Sequence, residues 1–255
     1  MLAFMLVALL AVPPAAAPAY TLTPRIVGEI DLGQMKGSRL RRLAWSPDGS
    51  ELYLQTYDPD VKAQPKDVYH FIVSTTDATA RQVDAEPAWA AEYWLWKAAQ
   101  MAPGDPEFKI EVVTEKGIAA ATALPMGGDM AKGGVDTSGG SGASMDAMLE
   151  AARQSQNTMT YRMRLHGQTV GEWINHPIMP GLTFGWGPKG SDVIAYADAK
   201  GGQLIIMDKD GKRQKIEGTR DVALPSWTAD GTRMAYLESR GRTKYAVVIA
   251  AVAHK

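Results

Sequence analysis

The chain has 255 residues, 45% hydrophobic and 22% charged, the balance of a folded domain rather than a disordered chain. Its formal net charge of −1 leaves no basic field for collecting nucleic acid. It has no cysteine, which excludes disulfide scaffolds, thiolate metal sites and Cys nucleophiles, while 25 Gly and 15 Pro predict many turns and few long helices.

Residues 1–19 carry no charge. An apolar run over 1–12 ends at Pro13-Pro14, and Ala17-Pro18-Ala19 has the small-x-small form of a cleavage site, so an export signal is expected, cut before Tyr20. The apolar run is short for a membrane span of about 20 residues, and no other stretch is apolar enough to serve as one. The expected location is periplasmic or extracellular, with the folded domain over 20–255.

A strand-like segment at 25–32 precedes Trp45-Ser46-Pro47-Asp48-Gly49 and the apolar run Leu52-Tyr53-Leu54. The predicted physics is a β-hairpin. A strand ends on a large Trp that fills a gap between sheets, Gly supplies the positive φ of the turn, and the apolar run returns. A second hairpin follows, with strands at 68–73 and 80–83. A degenerate start is read at Trp89, with Tyr93-Trp94-Leu95-Trp96 as its returning strand, and 108–113 and 118–122 as the next pair.

Residues 126–157 interrupt the pattern. Seven glycines fall between Gly127 and Gly142, and a short helix is predicted over 145–156 with Met145, Met148, Leu149 and Ala152 on one face. Strands are then predicted at 159–165 and 168–173 about a His166-Gly167 turn. Trp186-Gly187-Pro188-Lys189-Gly190 with Val193-Ile194-Ala195, and Trp227-Thr228-Ala229-Asp230-Gly231 with Met234-Ala235-Tyr236, repeat the first motif without gaps. These two tryptophans lie 41 residues apart, the length of one four-stranded propeller blade. Between them come a strand at 203–207, a turn at 208–211 and an outer strand at 212–216. The chain ends in a third strand, 244–252, whose missing fourth partner is the segment 25–32. That pairing closes a ring and removes exposed edges. The count is five blades, with four to six compatible with the length.

The motif carried by Trp45, Ser46, Pro47, Asp48 and Gly49, by Trp186 and Gly190, and by Trp227, Asp230 and Gly231 resembles the Pro-Asp type of WD-repeat-like blade, as in TolB-like proteins and the propellers of prolyl-oligopeptidase relatives. The resemblance covers about 110 residues. It implies an all-β propeller and a protein or peptide partner in the cell envelope, while the scaffold itself hosts many activities.

Catalytic chemistry is sparse. There is no His-Glu-x-x-His spacing, no phosphate loop and no dinucleotide fingerprint, and Ala143 breaks the serine elbow around Ser141. Asp208-x-Asp210-Gly211 opens like a calcium loop but lacks the closing glutamate, so it reads as a hairpin turn. His70, His166, His176 and His254 read as ordinary surface or core residues. The paired Met126 and Met130, Met145 and Met148, and Met159 and Met163 are the metal candidates, because thioethers select Cu(I); gap-filling in the core is the competing account. Trp89, Tyr93, Trp94 and Trp96 form a candidate aromatic platform, with packing between blades as the alternative. No cofactor is implied and no catalytic residue assigned. The expected function is non-enzymatic binding of a protein or peptide. The alternatives are copper binding through the Met-rich insertion, or a small enzyme or ligand-binding propeller with its site at the ring axis.

Overall fold

The computed structural model describes residues 19–59, 65–92, 105, 107–113, 159–175, 184–198 and 202–254. Residues 1–18 of the expected signal segment 1–19, the strand at 118–122 and the insertion 126–157 lie outside them.

Fifteen strands form four antiparallel sheets among these residues. The first sheet is β2 (Arg39–Trp45), β3 (Glu51–Pro59), β4 (Pro65–Ser74) and β5 (Ala80–Val83). The second is β6 (Lys109–Val113), β7 (Met159–Leu165) and β8 (Gln168–Asn175). The third is β9 (Phe184–Trp186), β10 (Val193–Ala197), β11 (Leu204–Asp208) and β12 (Arg213–Lys215). The terminal sheet is β13 (Val222–Trp227), β14 (Arg233–Ser239), β15 (Lys244–His254) and, at its outer edge, β1 (Tyr20–Asp31). The N-terminal strand therefore completes the C-terminal sheet, as the sequence predicts, over a register running from Tyr20 opposite His254 to Asp31 opposite Lys244.

Strict alternation along the strands explains why they read as nearly continuous apolar runs: both faces are buried. Ala235 and Leu237 face a core shared with the first sheet, while Met234 and Tyr236 face one shared with the third. Ile194 and Tyr196 of β10 join Phe108, Ile110 and Met163 in the core between the second and third sheets. Tyr53 and Ile72 bury the other face of the first sheet against Ala90 and Trp89. The sheets thus stack second, third, terminal, first. The innermost strand β13 contacts β9 on one side and β2 on the other. Among the described residues no hydrophobic core joins the first sheet to the second.

Three expectations are corrected. Trp89 ends no strand: it lies in a short helical stretch, 88–92, with its ring edge-on to Tyr53 at 6.3 Å. The segments assigned to two different blades pair directly, Lys109 opposite Arg164 through Val113 opposite Thr160, so four sheets are seen among the described residues rather than five. The motif repeat is also not gapless. Trp45 pairs with Leu52 and Trp227 with Met234, seven residues on, whereas Trp186 pairs with Ile194, eight residues on.

Candidate functional site

The motif turns build one rim. In the first sheet Ser46 Oγ donates to Asp48 Oδ1 at 2.6 Å and accepts from the Glu51 amide at 3.0 Å, while Asp48 takes the Ser50 amide at 3.1 Å and the Ser50 hydroxyl at 2.8 Å. The terminal sheet repeats this almost atom for atom. Thr228 Oγ1 donates to Asp230 Oδ1 at 2.6 Å and accepts from the Arg233 amide at 3.0 Å, and Asp230 takes the Thr232 amide at 3.0 Å and hydroxyl at 2.9 Å. These donors stabilise the charged carboxylates and hold both well below the usual range, at about 2. The third turn has Gly187 where the others have a hydroxyl and Lys189 where they have the carboxylate. Ser191 closes it instead, its amide and hydroxyl both on the Pro188 carbonyl, and the turn is one residue longer, with Asp192 at φ 49°.

Successive turns touch. Pro188 packs against Gly231, and the Arg233 guanidinium packs against Gly49. Arg233 also lies over the Trp45 ring, 4.8 Å from its centre, and donates to the Gly49 carbonyl at 3.1 Å. Trp45 Nε1 donates to the Ser226 carbonyl at 2.9 Å across the same junction. Thr75 and Val252 donate backbone amides to Ser50 and Thr232, so the β4–β5 turn and the end of β15 join the same rim. The turn at 240–243, between β14 and β15, lies at the opposite end of its sheet.

A pocket of about 490 Å³ opens on this rim between the third and terminal sheets. Its walls include Trp227, Asp230 and Gly231 on one side, Pro188, Ser191 and Val193 on another, and Tyr20, Val252 and His254 at the chain ends. Tyr20 stands edge-on to Trp227 at 6.1 Å and tilted on His254 at 4.8 Å, and burial, followed by the Asp208 charge, raises its phenol. Trp227 Nε1 is buried and has no hydrogen-bond partner among the described residues.

A polar chain crosses the outer face of the first sheet. A guanidinium only donates, so Arg41 Nη1 fixes Gln55 Oε1 as acceptor at 3.1 Å, and Gln55 Nε2 donates to Tyr53 Oη at 2.8 Å. Tyr53 Oη also lies 2.7 Å from His70 Nδ1, a bond in which Tyr53 donates when the imidazole carries its proton on Nε2. Beside the chain, burial depresses the Arg42 guanidinium pKa, opposed by Glu86 at 2.8 Å. Sequence reading missed this chain, because its members share no local motif.

The other candidates fall as follows. Met163 is fully buried in the core between the second and third sheets; Met159 is in β7; Met126, Met130, Met145 and Met148 lie outside the described residues. Tyr93, Trp94, Trp96 and His176 also lie outside. His166 and Gly167 form the expected two-residue turn, both at positive φ. The Asp208 carboxylate serves the amides of Asp210 and Lys212, as a hairpin turn requires. Among the described residues no three acidic or histidine side chains are grouped to hold a metal, and no helix is long and apolar enough to cross a membrane.

No family model matches the chain, and no curated protein does. Among solved structures it is similar to TolB from Acinetobacter baumannii, with 10% identity over 85% of this chain and 44% of that one, TM-score 0.29. It is similar to the β-propeller domain of Cps50 (Swd1) from Myceliophteria thermophila, with 11% identity over 92% and 93%, TM-score 0.31. A third is oligogalacturonate lyase from Vibrio parahaemolyticus, with 12% identity over 84% and 49%, TM-score 0.28. The chain spans less than half the length of the TolB and lyase chains. The fold assignment therefore rests on sheet order: antiparallel meanders, three of four strands and one of three among the described residues, stacked face to face, with the first strand of the chain completing the last sheet.

Proposed function

We propose that this chain is an exported β-propeller that binds a protein or peptide partner through the rim formed by its motif turns. The observation that carries this reading is the series of turn contacts, Pro188 on Gly231 and Arg233 on Gly49, which ties loops of three sheets into one platform. Two ionised carboxylates, Asp48 and Asp230, are fixed on that platform. Removal of residues 1–19 would leave Tyr20 as the first residue, and β1 begins at Tyr20. A propeller ring within the four-to-six-blade range, closed by β1 and located in the cell envelope or outside it, is the arrangement this reading takes.

The test is site-specific photocrosslinking in the producing cell. A benzophenone side chain at Ala229, exposed on the rim, should trap a partner that the same group at Arg242, exposed at the opposite end, does not. Equal trapping at both ends, or none at either, rejects the rim. Tagged full-length chain recovered uncut from the cytoplasm rejects export.

A further inference from the structure

The repeat supplies an internal template for what the rim pocket holds. Pairing across the motif turns makes Arg233 and Val193 equivalent: each precedes the partner of its sheet's Trp, and each carbonyl receives the first turn amide, from Thr228 and from Gly187. At the junction of the terminal and first sheets, the Arg233 guanidinium fills the space over Trp45 and binds the Gly49 carbonyl. At the junction of the third and terminal sheets the equivalent residue is Val193. It is too short to reach, and the pocket of about 490 Å³ opens there, walled by Trp227 and by Gly231, the counterparts of Trp45 and Gly49. Pro188 takes the edge of the place against Gly231, and the rest stays open.

We infer that this pocket is a binding site for an arginine side chain of a polypeptide partner. A guanidinium there would lie against Trp227 and Tyr20, as Arg233 lies over Trp45, within the field of the ionised Asp230 and donating to the Gly231 carbonyl. Both anionic and aromatic walls favour a flat cation. This inference rests on the rim reading and names the chemistry the rim selects.

The test titrates 15N-labelled chain beginning at Tyr20 with N-acetylarginine amide, following the indole resonances and assigning Trp227 with a Trp227→Phe variant. A saturable shift at Trp227 is expected, at least tenfold weaker with the neutral N-acetylcitrulline amide. Arg233→Val should open a second such place, so that the arginine probe also shifts Trp45. Ser191→Arg, a pocket residue whose side chain is only half-buried, should plug the first place and abolish the Trp227 response. A Trp227 resonance that does not move, or that moves equally with citrulline, overturns the inference whatever the variants do. Partner trapping at Ala229 with no arginine response rejects the arginine site and leaves the rim reading standing; an arginine response without trapping does the reverse.

Discussion

Gln214 holds Tyr20 by both backbone groups: its Oε1 accepts the Tyr20 amide at 3.0 Å and its Nε2 donates to the Tyr20 carbonyl at 2.6 Å. The two residues are 194 positions apart and belong to adjacent sheets, so one side chain tacks the start of β1 to the outer strand of the third sheet. Without it, that end of β1 keeps its pairing with β15 and the Tyr20–Trp227 ring contact. Gln214→Ala is expected to cost about 1–2 kcal/mol, the net worth of two part-buried hydrogen bonds. Amide hydrogen exchange should accelerate first at Thr21 and Ala253, the pair next to this end whose amides face each other, since the Val252 amide is turned to Thr232. A urea midpoint and exchange pattern equal to wild type would show that the clamp contributes nothing.

The two turn carboxylates predict a specific acid sensitivity. Asp48 and Asp230 titrate at about 2 in the folded chain and at about 3.9 when unfolded, so the unfolded state binds their protons first as pH falls. The stability they confer is complete above about pH 4 and is lost progressively toward pH 2. The double variant Asp48→Asn, Asp230→Asn should be less stable at neutral pH, and its Tm should fall less steeply between pH 4 and pH 2. Parallel Tm profiles for the two proteins across that window would refute the assignment.

Three glycines stand four residues after the Trp of their sheet and should respond differently to alanine. Gly49, Gly190 and Gly231 all have positive φ, at 69°, 81° and 71°. Gly190 faces open space, so Gly190→Ala carries only the backbone penalty of about 1 kcal/mol. At Gly231 a new Cβ meets Pro188, a ring fixed in its own turn. At Gly49 it meets the Arg233 guanidinium, which must leave both the Trp45 face and the Gly49 carbonyl. Chemical denaturation should therefore rank Gly190→Ala as the mildest of the three. Equal losses at all three would mean that the turns do not support one another.

What the sequence disclosed follows the range of its signals. Trp45 and Trp227 were legible as strand ends because hydroxyl, carboxylate and glycine all fall within five residues and make a self-contained turn. Trp186 was read one residue out of register, since with Gly187 and Lys189 no local hydrogen-bond set fixes the turn length, and Ser191 sets it instead. The pairing of β6 with β7 was invisible because 45 residues separate Val113 from Met159 and strand pairing leaves no mark in spacing. Trp89 carried the right residue type at the right distance, yet it lies in a helical stretch that starts at Pro87 and covers Tyr53. The Arg233–Trp45 contact, like the Arg41–His70 chain, joins residues with no common motif, and the template for the rim pocket emerges only once the register of two sheets is known.

The Arg41–Gln55–Tyr53–His70 chain makes the last prediction. Arg41 and Gln55 each have one permitted role, and Tyr53 is the hinge: it accepts from Gln55, and it donates to His70 when the imidazole carries its proton on Nε2. Burial raises the Tyr53 phenol and so favours its neutral form. Tyr53→Phe preserves the ring against Trp89 but strands the Gln55 amide, itself 2% exposed, with no acceptor in Tyr53's place. The expected loss is about 2 kcal/mol, the cost of an unsatisfied buried donor plus one lost bond. Nitrogen-15 spectra of the imidazole should show His70 in the wild type as the Nε2–H tautomer with Nδ1 as acceptor, and a tautomer mixture in Tyr53→Phe. A His70 that is Nδ1-protonated in the wild type would reverse the last link alone, because Tyr53 would then accept twice and its own hydrogen would need another acceptor.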